Sequence, residues 1–129
     1  YLTEGIASGV ETQHAASLQP FVGFFPAAAR LLPQRQALGY REVTMTAATP
    51  LGPAGTTARG HEFHYSELTM PAEIPRVYRL AGRDGTPCGA EGYLRGNVLG
   101  SYVHLHFASH PALAENFVNS CRDWRDRGR

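Results

Sequence analysis

The sequence predicts an α/β domain in which a sheet with antiparallel strands leads into a final amphipathic helix. Three observations carry the prediction. Nine prolines and 14 glycines among 129 residues fall as punctuation between short apolar runs, the pattern of a compact α/β or α+β domain. Gly96-Asn97-Val98-Leu99-Gly100-Ser101-Tyr102-Val103-His104-Leu105-His106-Phe107 reads as a strand that carries a histidine to its C-terminal end just before a helix, where an open α/β sheet keeps its chemistry. Beyond it, Leu113, Phe117, Val118, Cys121 and Trp124 form one stripe of a helix.

The elements follow in order. Residues 1–6 read as the end of a helix stopped at Gly5 or Gly9, and residues 21–26 as a short strand or strand-like turn. Pro26 and Pro33 keep the alanine-rich piece between them short. Residues 37–47, with Leu38, Tyr40, Val43 and Met45, have the β-branched and aromatic bias of a strand, and Thr49-Pro50-Leu51-Gly52-Pro53-Ala54-Gly55 is a loop. Residues 60–68 return as a second strand, on which Glu62, His64 and Ser66 share one side and His61, Phe63 and Tyr65 the other. Residues 77–80 form a third strand, 83–86 a turn, and 92–107 a fourth and a fifth strand connected by hairpin logic. Ser109 is the expected N-cap of the closing helix, with Pro111 near its first position.

At this length, with 43% hydrophobic residues, one domain or part of one can bury a core. Twelve basic residues against eleven acidic ones leave no electrostatic footprint for nucleic acid or an anionic membrane. All twelve basic residues are arginine, which removes a lysine nucleophile or a P-loop lysine from these residues. Cys88 and Cys121 fit neither a disulfide framework nor a zinc-ligand spacing, and suit a reducing cytoplasm. With no signal segment, and no apolar run near the roughly 18 to 20 residues that cross a bilayer, the chain is expected to be soluble and cytoplasmic. Tyr1 reads as an internal position of a longer protein.

His104 and His106 lie two apart on a strand and leave the same face; a histidine there is either hydrogen-bonded structure or an acid–base group. A second polar cluster, Glu62-Phe63-His64-Tyr65-Ser66, interrupts a strand-like run, where burying ionisable groups without use is costly. A catalytic histidine needs a nucleophile. Cys88, within Gly85-Thr86-Pro87-Cys88-Gly89, has no strand leading into a helix behind it and reads as a surface or turn cysteine. Cys121, on the apolar stripe, reads as core. These residues look like half of a catalytic site.

The run Gly60-His61-Glu62-Phe63-His64-Tyr65-Ser66, followed by Glu91-Gly92-Tyr93 and then by residues 96–109, resembles the C-terminal half of the cobyrinic acid a,c-diamide synthase family, including its hydrogenobyrinic acid counterpart. Tyr1-Leu2 resembles the residues just after that family's nucleophile motif, and residues 113–118 resemble its last helix. The resemblance implies that residues 1–129 are the C-terminal portion of a class I glutamine amidotransferase domain. Its fold would be α/β, an open, flavodoxin-like mixed sheet in which a cysteine on a strand-to-helix elbow attacks the side-chain amide of glutamine.

The resemblance makes His104 the general base, which takes the thiol proton and returns it to departing ammonia. His106 falls where many such enzymes carry a glutamate, which favours a cysteine–histidine dyad with Glu62 as a substitute that orients the imidazole. His64, Tyr65 and Ser66 resemble the segment that presents backbone groups to the α-amino and α-carboxylate groups of glutamine. The nucleophile elbow and an N-terminal ATP-binding domain are implied to lie upstream of Tyr1. ATP and magnesium would belong to that domain, and the present residues alone would not hydrolyse glutamine. The implied partners are glutamine and, through the parent enzyme, a corrinoid whose a and c carboxylates are amidated.

Two other readings of the same residues stay open. Glu62, His64, His104 and His106 are a metal-ligand set if their strands are neighbours. A chain without a nucleophile also suits a non-catalytic interaction module. A sheet lacking its elbow strand would expose an edge, so the expectation is either self-association through that edge or a sheet closed differently from the intact domain.

Overall fold

The computed structural model describes residues 1–8 and 18–127. They fall into two units, Tyr1–Leu38 with Phe63–Ile74, and Gly39–Glu62 with Pro75–Arg129.

In the first unit, β1 (Gly5–Ser8) pairs antiparallel with β2 (Leu18–Pro20) and parallel with β3 (Ala28–Leu31). β3 also pairs antiparallel with β6 (Ser66–Leu68). The helix end expected at residues 1–6 is therefore incorrect. From Gly5 onward the backbone is taken up by strands on both sides, and this pairing overrides the glycine stop signal; Gly9 lies outside the described residues. Residues 21–26 form the turn-like alternative rather than a strand. Their N–H groups bond back to the chain start, Phe21 to the Glu4 carbonyl at 2.9 Å and Phe25 to the Leu2 carbonyl at 2.8 Å, and the Phe25 ring is buried.

The second unit is built on a six-stranded sheet in the order β10-β5-β4-β7-β8-β9. These strands are β4 (Ala37–Met45), β5 (Thr57–His64), β7 (Arg76–Ala81), β8 (Pro87–Arg95), β9 (Val98–Gly100) and β10 (Val103–Leu105). The pairings β10–β5, β4–β7, β7–β8 and β8–β9 are antiparallel. The mixed α/β character, the several antiparallel strands and the single closing helix agree with the sequence.

Two strand expectations need correction. Residues 60–68 divide at Tyr65, because β5 pairs in this sheet and β6 in the four-stranded one. Residues 92–107 contribute to three strands rather than two, since the chain turns at Gly96 (φ 58°) and breaks again at Ser101 and Tyr102.

The sheet curls. β9 and β10 stand at opposite ends of the strand order, yet only Ser101 and Tyr102 separate them in sequence. Gly100 and Val103 are thus at most about 11 Å apart, whereas six flat strands would set the two edges about 24 Å apart. Curling encloses the core: Val43 and Met45 of β4, Ala58 of β5, Val77, Tyr78 and Leu80 of β7, and Val103 of β10, with Leu51 and Leu113. Full burial of each large side chain contributes about 1.5–3 kcal/mol. Gly92 adopts φ 73°, and a Cβ there would overlap the ring of the fully buried Tyr78, so only glycine fits.

A 3-10 turn, Phe107–Ser109, precedes α1 (Ala112–Arg127). Ser109 does not cap the helix. The turn carries its hydroxyl to Arg59, whose N–H it accepts at 2.9 Å. Only the first turn of the apolar stripe reaches the core, through Leu113. Further along, Asn116 Nδ2 donates to the Leu51 carbonyl (3.0 Å) and Asn97 Nδ2 to Ser120 Oγ (2.8 Å), while Phe117, Val118 and Trp124 are exposed. Cys121 is exposed as well, which corrects its assignment to the core. No helix among the described residues is long and apolar enough to cross a membrane.

Candidate functional site

His104 sits on β10, and the β10–β5 register pairs Val103 with Glu62, His104 with His61 and Leu105 with Gly60. Because side chains alternate along a strand, Val103 and Glu62 point into the core while His104 and His61 point out. The two imidazoles meet edge to face, with ring centroids 4.9 Å apart and planes at 69°. A cross-strand ion pair, Arg59 Nε to Glu42 Oε2 at 3.5 Å, shows that the outer faces of β4 and β5 coincide. His104 therefore looks onto an open face shared with His61, Arg59, Glu42 and Tyr40. His106 lies just past β10, exposed, with its N–H donated to the Arg59 carbonyl at 2.8 Å.

Gly60 allows this approach. A Cβ at that position would overlap the carbonyl oxygen of His104, so only a residue without a side chain lets β10 close on β5. The strand alternation places His61 on the face opposite Glu62, but gives it no functional partner. Its pairing with His104 depends on a register that no local pattern specifies.

Glu62 faces the other way. Its Oε2 accepts from Arg41 Nε at 2.8 Å, and the two side chains are 10% and 17% exposed. The structure does not bring Glu62 to the His104 imidazole, because consecutive positions on β5 alternate faces and His104 shares its face with His61. The carboxylate instead belongs to a partly buried charge pair. Arg41→Ala is expected to destabilise the chain by about 2 kcal/mol, below the usual cost of breaking a fully buried pair because Arg41 retains some solvent. Denaturant unfolding checks this, and a change under about 0.5 kcal/mol would show that Glu62 does not depend on Arg41.

A second buried carboxylate, Glu91 on β8, stands opposite Tyr78 of β7. Its Oε2 accepts from Ser101 Oγ at 2.5 Å and its Oε1 from the Tyr102 N–H at 3.0 Å, while Ser101 Oγ accepts the Val103 N–H at 2.9 Å. Burial pushes the Glu91 carboxyl above the usual range; hydrogen bonds from Ser101, Tyr102 and Gly92 oppose the rise, and the Glu62 charge adds to it. Burial likewise raises the Tyr78 phenol, and the Glu91 charge contributes.

The folded carboxyl of Glu91 therefore holds its proton more tightly than the unfolded one, whose ordinary value is 4.5. Between those two values the native state binds more protons, so stability is full below the lower value and falls as pH rises through the upper one. Glu91→Gln is expected to lack that fall. Urea midpoints from pH 4 upward should converge toward, or pass, those of the wild type as pH rises; parallel curves would contradict the assignment.

His64, Tyr65 and Ser66 lie in the first unit. His64 Nδ1 is 2.7 Å from the Ser66 carbonyl oxygen, and the Tyr65 ring meets Phe63 edge to face at 5.7 Å. The His64 and Tyr65 carbonyls accept the Gln36 and Leu32 N–H groups at 2.9 and 2.7 Å, and Ser66 pairs with Leu31 across β6 and β3. Among the described residues no three His, Cys, Asp or Glu side chains gather to hold a metal ion, so the alternative ligand set of Glu62, His64, His104 and His106 is not assembled. Both cysteines are free and exposed. Cys88 belongs to the start of β8 rather than to a loop, because the preceding turn closes at Thr86.

Residues 1–112 match the family described as the CobB/CobQ-like glutamine amidotransferase domain. A cobyrinate a,c-diamide synthase of Syntrophotalea carbinolica is 45% identical over 125 residues, covering 95% of this chain and 26% of that protein. One from Leptospira interrogans is 41% identical over 104 residues, 79% of this chain and 23% of the relative. A hydrogenobyrinate a,c-diamide synthase of Mesorhizobium japonicum is 44% identical over 71 residues, 55% of this chain and 16% of the relative. The chain thus spans about a quarter or less of the length of these curated relatives. An exposed, strand-mounted histidine within a family match that covers most of the chain leads to one assignment: the chain belongs to the CobB/CobQ-like glutamine amidotransferase domain family.

Proposed function

We propose that these residues supply the general base, His104, of a glutamine-hydrolysing site whose cysteine nucleophile is carried elsewhere in a longer protein. The observation that supports it most is His104 itself, held on β10 with its ring on an open face, in a chain of an amidotransferase family. Neither Cys88, at the start of a strand, nor Cys121, midway along a helix, sits at a strand-to-helix elbow.

In this reading the imidazole takes the thiol proton, and the thiolate attacks the carboxamide carbon of glutamine. The proton passes to the departing nitrogen, ammonia leaves, and water then cleaves the thioester to glutamate. The ammonia amidates the a and c carboxylates of cobyrinic or hydrogenobyrinic acid, as the names of the relatives suggest. ATP and magnesium would be held by another domain and would supply the activation of those carboxylates. Residues His64, Tyr65 and Ser66 are proposed to meet the α-groups of glutamine, and the protein to work in the cytoplasm. Self-association is proposed to run through an exposed sheet edge; β2 and β6 are the edge strands of the four-stranded sheet.

Ammonia release from glutamine by the longer protein tests the reading. A Cys88→Ser, Cys121→Ser double variant is expected to keep wild-type turnover, since neither thiol takes part. Loss of turnover there would overturn the division between base and nucleophile.

A further inference from the structure

β10 has only three residues, pairs with β5 alone and forms one end of the sheet. Such a strand has a short ladder of its own, beside the one side chain, Val103, that it buries in the core. A catalytic base nevertheless needs a fixed position, because a misplacement of about 1 Å can cost a hundredfold in rate. Outside the ladder, a polar chain among the described residues also holds the approach to β10. The Glu91 carboxylate accepts both the Ser101 hydroxyl and the Tyr102 N–H, and Ser101 Oγ accepts the Val103 N–H. The two amides immediately before His104 are thereby tied, directly and through one hydroxyl, to a side chain on β8.

The Glu91 carboxylate is also costly where it stands. It is 7% exposed and feels the charge of Glu62, so its retention asks for a compensating role. From this geometry we propose that Glu91 is a positioning residue for His104: acting through Ser101 and Tyr102, it sets where β10 begins and so where the imidazole is presented. This rests on the proposed role of His104 as glutaminase base. Glu91 touches neither glutamine nor nucleophile in this account.

The test compares Glu91→Ala, Glu91→Gln, Ser101→Ala and His104→Ala in the longer protein. Glutamine kinetics are measured below the melting temperature of each variant. Glu91→Ala is expected to lower kcat about ten- to a hundredfold with KM for glutamine nearly unchanged, and amide exchange at Tyr102 and Val103 should quicken. Glu91→Gln keeps an oxygen for the Tyr102 N–H and is expected to recover most of the turnover, a rescue that general loss of structure would not give. Ser101→Ala should fall between wild type and Glu91→Ala.

Wild-type turnover in Glu91→Ala, with His104→Ala inactive, would overturn the positioning role and leave the base assignment standing. If Glu91→Ala does not fold, wild-type kcat in Ser101→Ala would overturn it equally. Wild-type turnover in His104→Ala would remove the base assignment, and the positioning role with it.

Discussion

Replacing His104 by alanine is expected to lower glutamine-dependent turnover of the longer protein by about a thousandfold, the scale of losing a positioned general base. Folding should hardly change. The ring is exposed on the outer face of β10, its edge-to-face contact with His61 is its one described side-chain contact, and surface substitutions of this kind usually stay within about 0.5 kcal/mol. The lesion should also be bypassed by ammonia. If His104 serves only to release ammonia from glutamine, as proposed, free ammonia at sufficient concentration is expected to restore amidation in His104→Ala. Ammonia-dependent amidation that falls in parallel with the glutamine-dependent reaction would place His104 outside the glutaminase step.

Gly60→Ala should be the most damaging single-methyl change in the β10–β5 pair. The added Cβ would overlap the backbone carbonyl oxygen of His104, approach the Val103 side chain, and meet atoms that a rotamer change cannot move away. Overpacking of this kind costs about 1–3 kcal/mol, and backbone as the obstacle puts the expected loss near the upper figure. The strain should reach the site too, since relief requires β10 to move away from β5 and carry His104 with it. Glutamine turnover per folded molecule is expected to fall about a hundredfold, as for a base displaced by about 1 Å. Urea unfolding and steady-state kinetics on the same sample separate the two effects. A variant with wild-type stability and turnover would show that the close approach is not required.

Much of the fold was legible because its signals are local. β4 carries β-branched and aromatic residues, β7 is a short apolar run between turn residues, and α1 opens on Leu113 with helical spacing behind it. β1 was not legible. Gly-Ile-Ala-Ser has little strand propensity of its own and becomes a strand through β2 and β3 on either side. Cys121 illustrates a different limit: helical periodicity identifies a stripe but not what covers it, and beyond Leu113 the core does not reach.

The site divides in the same way. His104 is legible as a candidate because a polar side chain at the end of an apolar strand is conspicuous in sequence, and the structure places it exposed on β10. Glu62 was recognised as unusual, but its partner was not, because Arg41 reaches it from β4 on the inner face. His61 and Glu91 carried no comparable signal. Their places follow from the β10–β5 register and from the curl that brings β8 to the residues before β10, and both are set by pairings distant in sequence.

Mapping a covalent label tests at once the proposed base in this chain and the proposed nucleophile outside it. The longer protein, wild type and His104→Ala, would be treated with an electrophilic glutamine analogue and the labelled peptide identified by mass spectrometry over time. The expected label is on a cysteine outside residues 1–129, forming much more slowly in His104→Ala because the thiol keeps its proton. A label on Cys88 or Cys121, or equal rates in the two proteins, would contradict it.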